Sequence, residues 1–220
     1  MKLAIYGSGG LGREVLLIVK KINESSHKWD EFIFIDDIER NQEKSNCKVY
    51  NFDTFLKIFH PEECEVVIAV GEPSARETLF NKVKNNKYSL PIIIHPNSNI
   101  NLEGNSIGEG SVFCYNSSVS VNVNIGNCCY IQGYAGIGHN AKLGNFNVIG
   151  AGAQISGNVV LGERVYMGFL SGIKENTAIG TDSIISAGSI VFRDATDESV
   201  IMGNPGMVIK KNKEKKVFKK

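Results

Sequence analysis

Between residues 107 and 191 a large apolar side chain returns at every sixth position, and no other feature of the chain limits its fold as tightly. The register runs Ile107, Phe113, Val119, Ile125, Ile131, Ile137, Leu143, Ile149, Ile155, Leu161, Met167, Ile173, Ile179, Ile185 and Val191 without a break. A period of six is neither the 3.6 of a helix nor the 2 of a plain strand. It fits very short strands joined by tight corners, each strand sending one aliphatic inward. Two positions before most of these residues stands a small one, such as Ser111, Ala135, Ala153 or Ser183. The position after is often glycine, as at 108, 126, 138, 144, 150, 162, 168 and 180. Small residues suit crowded corners, and glycine accepts backbone angles closed to other residues. Repeated hexads of this kind predict a three-sided coil, and five such coils stacked about 4.8 Å apart make a prism roughly 24 Å long. Its interior is a dry aliphatic ladder, so any chemistry belongs on the outside.

The first ninety residues obey a different pattern. Strands are expected at 2–6, 32–35, 66–70 and 90–94. Helices are expected after Gly12, with Val15, Leu16, Val19 and Ile22 on one face, and over 74–84, with Ala75, Leu79 and Val83 on one side. Such alternation predicts a small parallel sheet covered by helices, a Rossmann-like βαβ domain. Gly7, Gly9 and Gly12 have GxGxxG spacing between a strand and a helix, where free N–H groups can meet a phosphate. Asp36, just past the second strand, is placed to accept from a ribose hydroxyl. The unit is too short for two mononucleotide halves, so NAD is not expected. The glycines serve either another nucleotide-bearing ligand or strand–helix packing alone.

The rest of the composition mainly excludes. Apolar residues are 42% and charged residues 21%, and no apolar run is long enough to span a bilayer. The start, MKLAIYGSGG, is too short in apolar residues for a signal peptide, which makes the cytoplasm the expected location. Five cysteines and four histidines show no zinc spacing, so no metal is expected. Residues 210–220 hold seven lysines and one glutamate in a chain of net charge +1. Charge gathered in a short terminus suggests a frayed, solvated end rather than a nucleic-acid-binding face. The organisation expected is therefore a nucleotide-binding domain over 1–96, a β-helix over 97–210 and a basic tail over 211–220.

His139 is the one histidine inside the repeat. It stands two positions after the inward Ile137, at a corner, and should face outward. Imidazoles titrate near neutrality and can take a proton from an amine or a hydroxyl. Cys128-Cys129 is better read as packing than as a nucleophile. Arg76 reads either as a phosphate ligand or as a solvated helix charge.

The hexad register resembles that of the left-handed β-helix acyltransferases. The left hand is implied by that resemblance, since ordinary parallel crossovers turn to the right. Gly7–Gly12, Asp36-Asp37, the segment from Gly71 to Arg76, His95-Pro96, the repeat and Gly203-Asn204-Pro205-Gly206 occur in one order. Together they resemble the bacterial sugar acyltransferases that acetylate nucleotide-linked 4-amino sugars, and the related sialic-acid O-acetyltransferases, over residues 1 to about 210. The resemblance implies a homotrimer with active sites between neighbouring prisms, acetyl-CoA as co-substrate, and a role in polysaccharide biosynthesis. It implies His139 as general base with Asn140 beside it, and a Gly157 amide toward the thioester oxygen. Phe169 and Ala187 would line the coenzyme groove, while Gly9, Gly10, Asp36 and Asp37 would hold the nucleotide-sugar. Two positions depart from the pattern: Asn140 replaces the usual carboxylate, and Val148 stands where relatives often carry a second histidine. The expected reaction is N-acetylation of a nucleotide-linked 4-amino-deoxy sugar, with O-acetylation of a sialic acid or other sugar hydroxyl as the alternative.

Overall fold

The computed structural model describes residues 1–39 and 41–218. The N-terminal sheet contains β1 (Lys2–Tyr6), β2 (Glu31–Ile35), β3 (Glu43–Lys44), β4 (Cys47–Tyr50) and β5 (Cys64–Ile68), in the order β3-β4-β2-β1-β5. Strands β1, β2, β4 and β5 are parallel, and β3 turns back against β4. Helix α1 (Gly10–Ser26) buries Val15, Leu16, Ile18 and Val19. Between the sheet's edges run α2 (Phe52–Ile58) and α3 (Pro73–Asn85). The buried stripe of α3 is Pro73, Arg76, Phe80 and Val83; of the expected side only Val83 lies in it, while Ala75 and Leu79 are half-buried. Strand β4 alternates buried and exposed residues but is only four residues long, too short to stand out in the sequence, and is held by its register with Phe34 and Ile35.

The expected fourth strand at 90–94 does not join this sheet. Ile93–Ile94 pairs with Val112–Phe113 and is the first rung of the prism. The prism is the expected left-handed parallel β-helix. Its first face stacks two-residue strands at 93–94, 112–113, 130–131, 148–149, 166–167 and 184–185 above Ser199–Met202. The second face has strands at 99–100, 118–119, 136–137, 154–155, 172–173 and 190–191. The third has them at 106–107, 124–125, 142–143, 160–161 and 178–179. Partners along each face are eighteen residues apart, as at Ile137↔Ile155. The inward aliphatics form one continuous core, extended at the top by Ile94 and Ile100. These two escaped the hexad register because Ile100 and Ile107 are seven apart, the extra residue lying in the corner between them.

The outer side of the first face is covered. Val112, Tyr130 and Val148 share a core with Leu3, Val15 and Val19, and Cys128 and Phe146 share another with Ile68 and Phe80. Arg76 is neither a phosphate ligand nor solvated. It is fully buried, its Nε donating to the Cys128 carbonyl (2.7 Å) and its Nη1 to those of Val70 (2.9 Å) and Ile68 (3.1 Å). Buried charge is tolerated only when so fully bonded.

The frayed tail also fails to appear. Met207–Lys211 pairs antiparallel with Ser199–Met202, and residues up to 218 fold back onto the N-terminal domain. Lys219 and Lys220 lie outside the described residues. No described helix is long and apolar enough to cross a membrane.

Candidate active site

Each corner of the prism spends one residue in the left-handed region. On the edge between the second and third faces these are Asn122, Asn140, Asn158 and Asn176, with φ between 57° and 59°. Asparagine tolerates this conformation better than most side chains. That slot fixes where its neighbour points, and His139 is exposed beside Asn140. The Asn140 amide nitrogen Nδ2 lies 3.0 Å from His139 Nδ1.

One coil on, Gly157 sits under the imidazole. A Cβ built there would fall 2.6 Å from His139 Cε1 and 2.7 Å from Nε2. The ring thus occupies the space that the missing side chain leaves. The coils are locked at this point by Asn158 N–H donating to the His139 carbonyl at 2.9 Å. Among the described residues the Gly157 amide has no protein acceptor. A base and an uncommitted N–H donor therefore stand one coil apart on an open edge, the pair that acyl transfer needs.

Phe169 and Ala187 are exposed and one coil apart, but on the edge between the first and second faces. The structure brings them near each other and not onto the His139 edge. Val148 faces the N-terminal core, where a histidine would be buried among apolar groups.

The N-terminal site lies at the carboxyl ends of β1 and β5, where open parallel sheets receive ligands. A cavity of about 490 Å³ is lined there by Gly7, Gly9, Asp36, Asp37, Val70 and Leu79, among others. The glycines divide by role. Gly7 has φ +106°, and a Cβ on Gly12 would lie 1.9 Å from the Gly7 carbonyl oxygen, so both are required by the turn itself. Cβ atoms on Gly9 and Gly10 would meet nothing within 4 Å. Their bareness is not demanded by the chain and leaves room for a ligand at the start of α1.

Asp36 Oδ2 accepts from Ser8 N–H (2.9 Å) and Ser8 O–H (2.7 Å), and Oδ1 from the Ile38 and Glu39 amides. Burial pushes its carboxyl up, but these bonds outweigh burial and hold it below the ordinary carboxylate range. Its first task is to tie the glycine loop to the end of β2. Asp37 accepts from Tyr6 O–H (2.6 Å), Phe52 N–H (2.9 Å) and Lys82 Nζ (3.0 Å). Again burial opposes and the bonds prevail, leaving the carboxyl low. Tyr6 and Lys82 went unnoticed in the sequence. A tyrosine closing β1 before the glycines was a faint signal; Lys82, one of several lysines on its helix, gave none.

The cysteines are inert. Cys128 and Cys129 are buried, and burial pushes the Cys129 thiol up to about 12. No group of three or more metal-ligating side chains occurs among the described residues.

Comparison with known proteins places these observations. The profile of the PglD N-terminal domain matches residues 2–83. GDP-perosamine N-acetyltransferase of Escherichia coli is 24% identical over 150 residues, 68% of this chain and 67% of that protein. The acetyltransferase domain of PglB from Neisseria gonorrhoeae, solved with acetyl coenzyme A, superposes with a TM-score of 0.88 at 25% identity, covering 94% of this chain and 98% of that one. Perosamine N-acetyltransferase of Caulobacter crescentus, solved with CoA and GDP-perosamine, shares the fold at a TM-score of 0.87 and 23% identity, over 94% and 96% of the two chains. In its repeat and its N-terminal match the chain is thus similar, over nearly its whole length, to sugar N-acetyltransferases, and it shares their fold.

Proposed function

We propose that this chain transfers the acetyl group of acetyl-CoA to the amine of a nucleotide-linked 4-amino-deoxy sugar, with His139 as general base. The observation that carries this reading is the His139 ring seated over Gly157, whose amide is free. The neutral amine attacks the thioester carbon, forming the C–N bond, and the carbonyl electron pair moves to oxygen. The Gly157 N–H meets that oxyanion. His139 removes the proton that the nitrogen sheds. When the C=O bond re-forms, the C–S bond breaks, and the thiolate takes the proton back from the imidazolium. The products are an amide and CoA.

Asn140 sets the tautomer. With its Oδ1 accepting from Nδ1–H, the Nε2 lone pair is free to act; with its Nδ2 donating to Nδ1, the proton sits on Nε2 and the base is blocked. The productive orientation is the first, reached from the observed Nδ2···Nδ1 contact by a half-turn of the Asn140 amide. An amide cannot compensate the imidazolium charge as a carboxylate would, and an amine needs a weaker base than a hydroxyl, so Asn140 favours nitrogen as acceptor.

The nucleotide end falls to the cavity around Gly9, Gly10, Asp36 and Asp37. Lys82, paired at 3.0 Å with the cavity residue Asp37, supplies a cation for a diphosphate. The coenzyme runs past Phe169 and Ala187. Within one chain the N-terminal domain covers the first face, whereas His139 stands on the edge opposite it. A nucleotide-sugar held by one chain therefore meets the His139 of a neighbour, and a homotrimer closes the arrangement.

The test is a steady-state comparison of UDP-, dTDP- and GDP-linked 4-amino sugars with acetyl-CoA, following thiol release. Release of CoA at a rate that depends on one of them is expected. No release with any of the three sinks the reading. Mixing His139→Ala chains with Asp37→Ala chains tests the shared site: activity should reappear in the mixture, and its absence removes the inter-chain arrangement.

A further inference from the structure

Residues 212–218 lie beyond the reach of the resemblance to other acyltransferases, yet they are the most specifically tethered terminus in the molecule. The Asn212 side chain is buried and donates to the Asp182 carbonyl at 3.0 Å, while Lys215 pairs with Asp182 at 3.4 Å. The chain then reaches Glu72, whose carboxylate accepts from the successive amides of Val217 (3.0 Å) and Phe218 (3.0 Å). Glu72 is the N-cap residue of α3, but its side chain caps none of that helix's own amides. It is turned outward to the tail instead. The Phe218 ring stands edge-on to Tyr166, with centroids 5.4 Å apart, and its Cε2 lies 3.6 Å from where a Gly71 Cβ would be. Leu11, in the first turn of α1, reaches the same point at 3.9 Å.

These contacts fall on the segment from Val70 to Pro73, which joins β5 to α3. Val70 lines the N-terminal cavity, and so do Ala75, Thr78 and Leu79 a turn or two into α3. From inside, Arg76 holds the Val70 carbonyl at 2.9 Å. From outside, the tail holds Glu72 and covers Gly71. A loop that ends a parallel strand and walls a ligand cavity is thereby pinned on both sides. Ordering such a wall before the ligand arrives removes an entropic cost from binding.

We propose that Phe218 and Glu72 are positioning residues for the nucleotide-sugar, the C-terminal segment bracing the β5–α3 wall of its cavity. This rests on the assignment of that cavity to the nucleotide. Among the described residues no hydrogen bond or ring contact joins 217–218 to His139, Gly157, Phe169 or Ala187, so the effect falls chiefly on one of the two substrates.

Titration calorimetry of the full chain with GDP, UDP and dTDP, and separately with acetyl-CoA, tests it. Three variants are compared with wild type: a chain ending at Lys213, Phe218→Ala and Glu72→Gln. Truncation should weaken the best of the three nucleotides about tenfold and Phe218→Ala about threefold, corresponding to about 1.4 and 0.7 kcal/mol. Acetyl-CoA affinity should stay within about twofold in every variant, and Phe218→Tyr should restore nucleotide affinity. If the truncated chain does not fold, the two point variants decide. Nucleotide affinity unchanged in all variants, or an equal loss for both ligands, overturns the inference alone. A wild-type chain that binds acetyl-CoA but none of the three nucleotides overturns the assignment of the cavity, and the bracing role with it.

Discussion

The two edges that flank the third face share one backbone and have opposite fates. On both, each coil places one residue in the left-handed region: Asn122, Asn140, Asn158 and Asn176 on one, Cys128, Phe146, Arg164 and Asp182 on the other. The second edge is docked. Phe146 meets Phe80 edge-on at 5.5 Å, and Arg164 forks onto Asp182 while reaching Glu77 of α3. Its amides are consumed by side chains one coil below, as from Asn127 to Asn145 Oδ1 and from Thr181 to Asp197 Oδ1. The first edge is bare, and at Gly157 that ladder has no side chain to offer. A repeat therefore dictates where the corners are but not what they do. The two columns differ in their side chains alone: one is covered by the N-terminal domain, and the other has a missing side chain under an imidazole.

Replacing His139 with alanine should break the contrast most: turnover should fall by about 10²–10⁴-fold with acetyl-CoA affinity changed far less. Near-normal turnover would strip the bare edge of its catalytic role. On the docked edge, Arg76→Ala leaves three carbonyls, those of Cys128 and Ile68 in buried bonds, without their donor and should cost about 3 kcal/mol in chemical denaturation, with destabilisation under 1 kcal/mol contradicting the tether. Gly157→Ala sharpens the comparison. The new methyl meets only the end of the His139 side chain, so stability should hold while turnover drops by about 10–100-fold through displacement of the ring. A fall in melting temperature that accounts for the activity loss would refute that separation.

Asn140→Asp should have a smaller effect, about 2- to 10-fold in rate, with the acid limb of the pH–rate profile moved upward because a carboxylate favours the imidazolium. An unchanged profile would show that Asn140 does not govern the base. Smallest near neutrality is the titration of Asp36 and Asp37. Their carboxyls are held low in the folded chain, so what they contribute is fully present above the unfolded value of about 4 and is lost as pH falls through the folded value. Nucleotide affinity should be flat from about pH 8 to 5 and decline only below about 4; a midpoint near 6 would point to a different group.

The prism was legible because its core is a strict ladder: each inward position is apolar and nothing polar interrupts it. Where the spacing slipped by one residue, at Ile100 to Ile107, the top coil was lost to view. The outward position of His139 followed from counting, whereas Gly157 was implied by the resemblance, and the eighteen-residue coil accounts for its place one coil beyond the histidine. Arg76 was not legible. A buried guanidinium and a solvated one look alike in a helix, and the acceptors are carbonyls brought by Cys128, 52 residues away. The tail misled for a related reason. Seven lysines suggest solvation, but the residues that anchor it are Asn212, Val217 and Phe218, and composition does not weigh them.

The guanidinium of Arg76 sets a rule for anyone recombining these proteins. It is rooted in α3 and bonded across the seam to the Cys128 corner, so exchanging the N-terminal half for that of a relative would strand a cation against foreign carbonyls. A chimera meant to change nucleotide preference should carry the stretch around Cys128 and Tyr130 with the transplanted half, or the hybrid will lose cohesion before its selectivity can be measured.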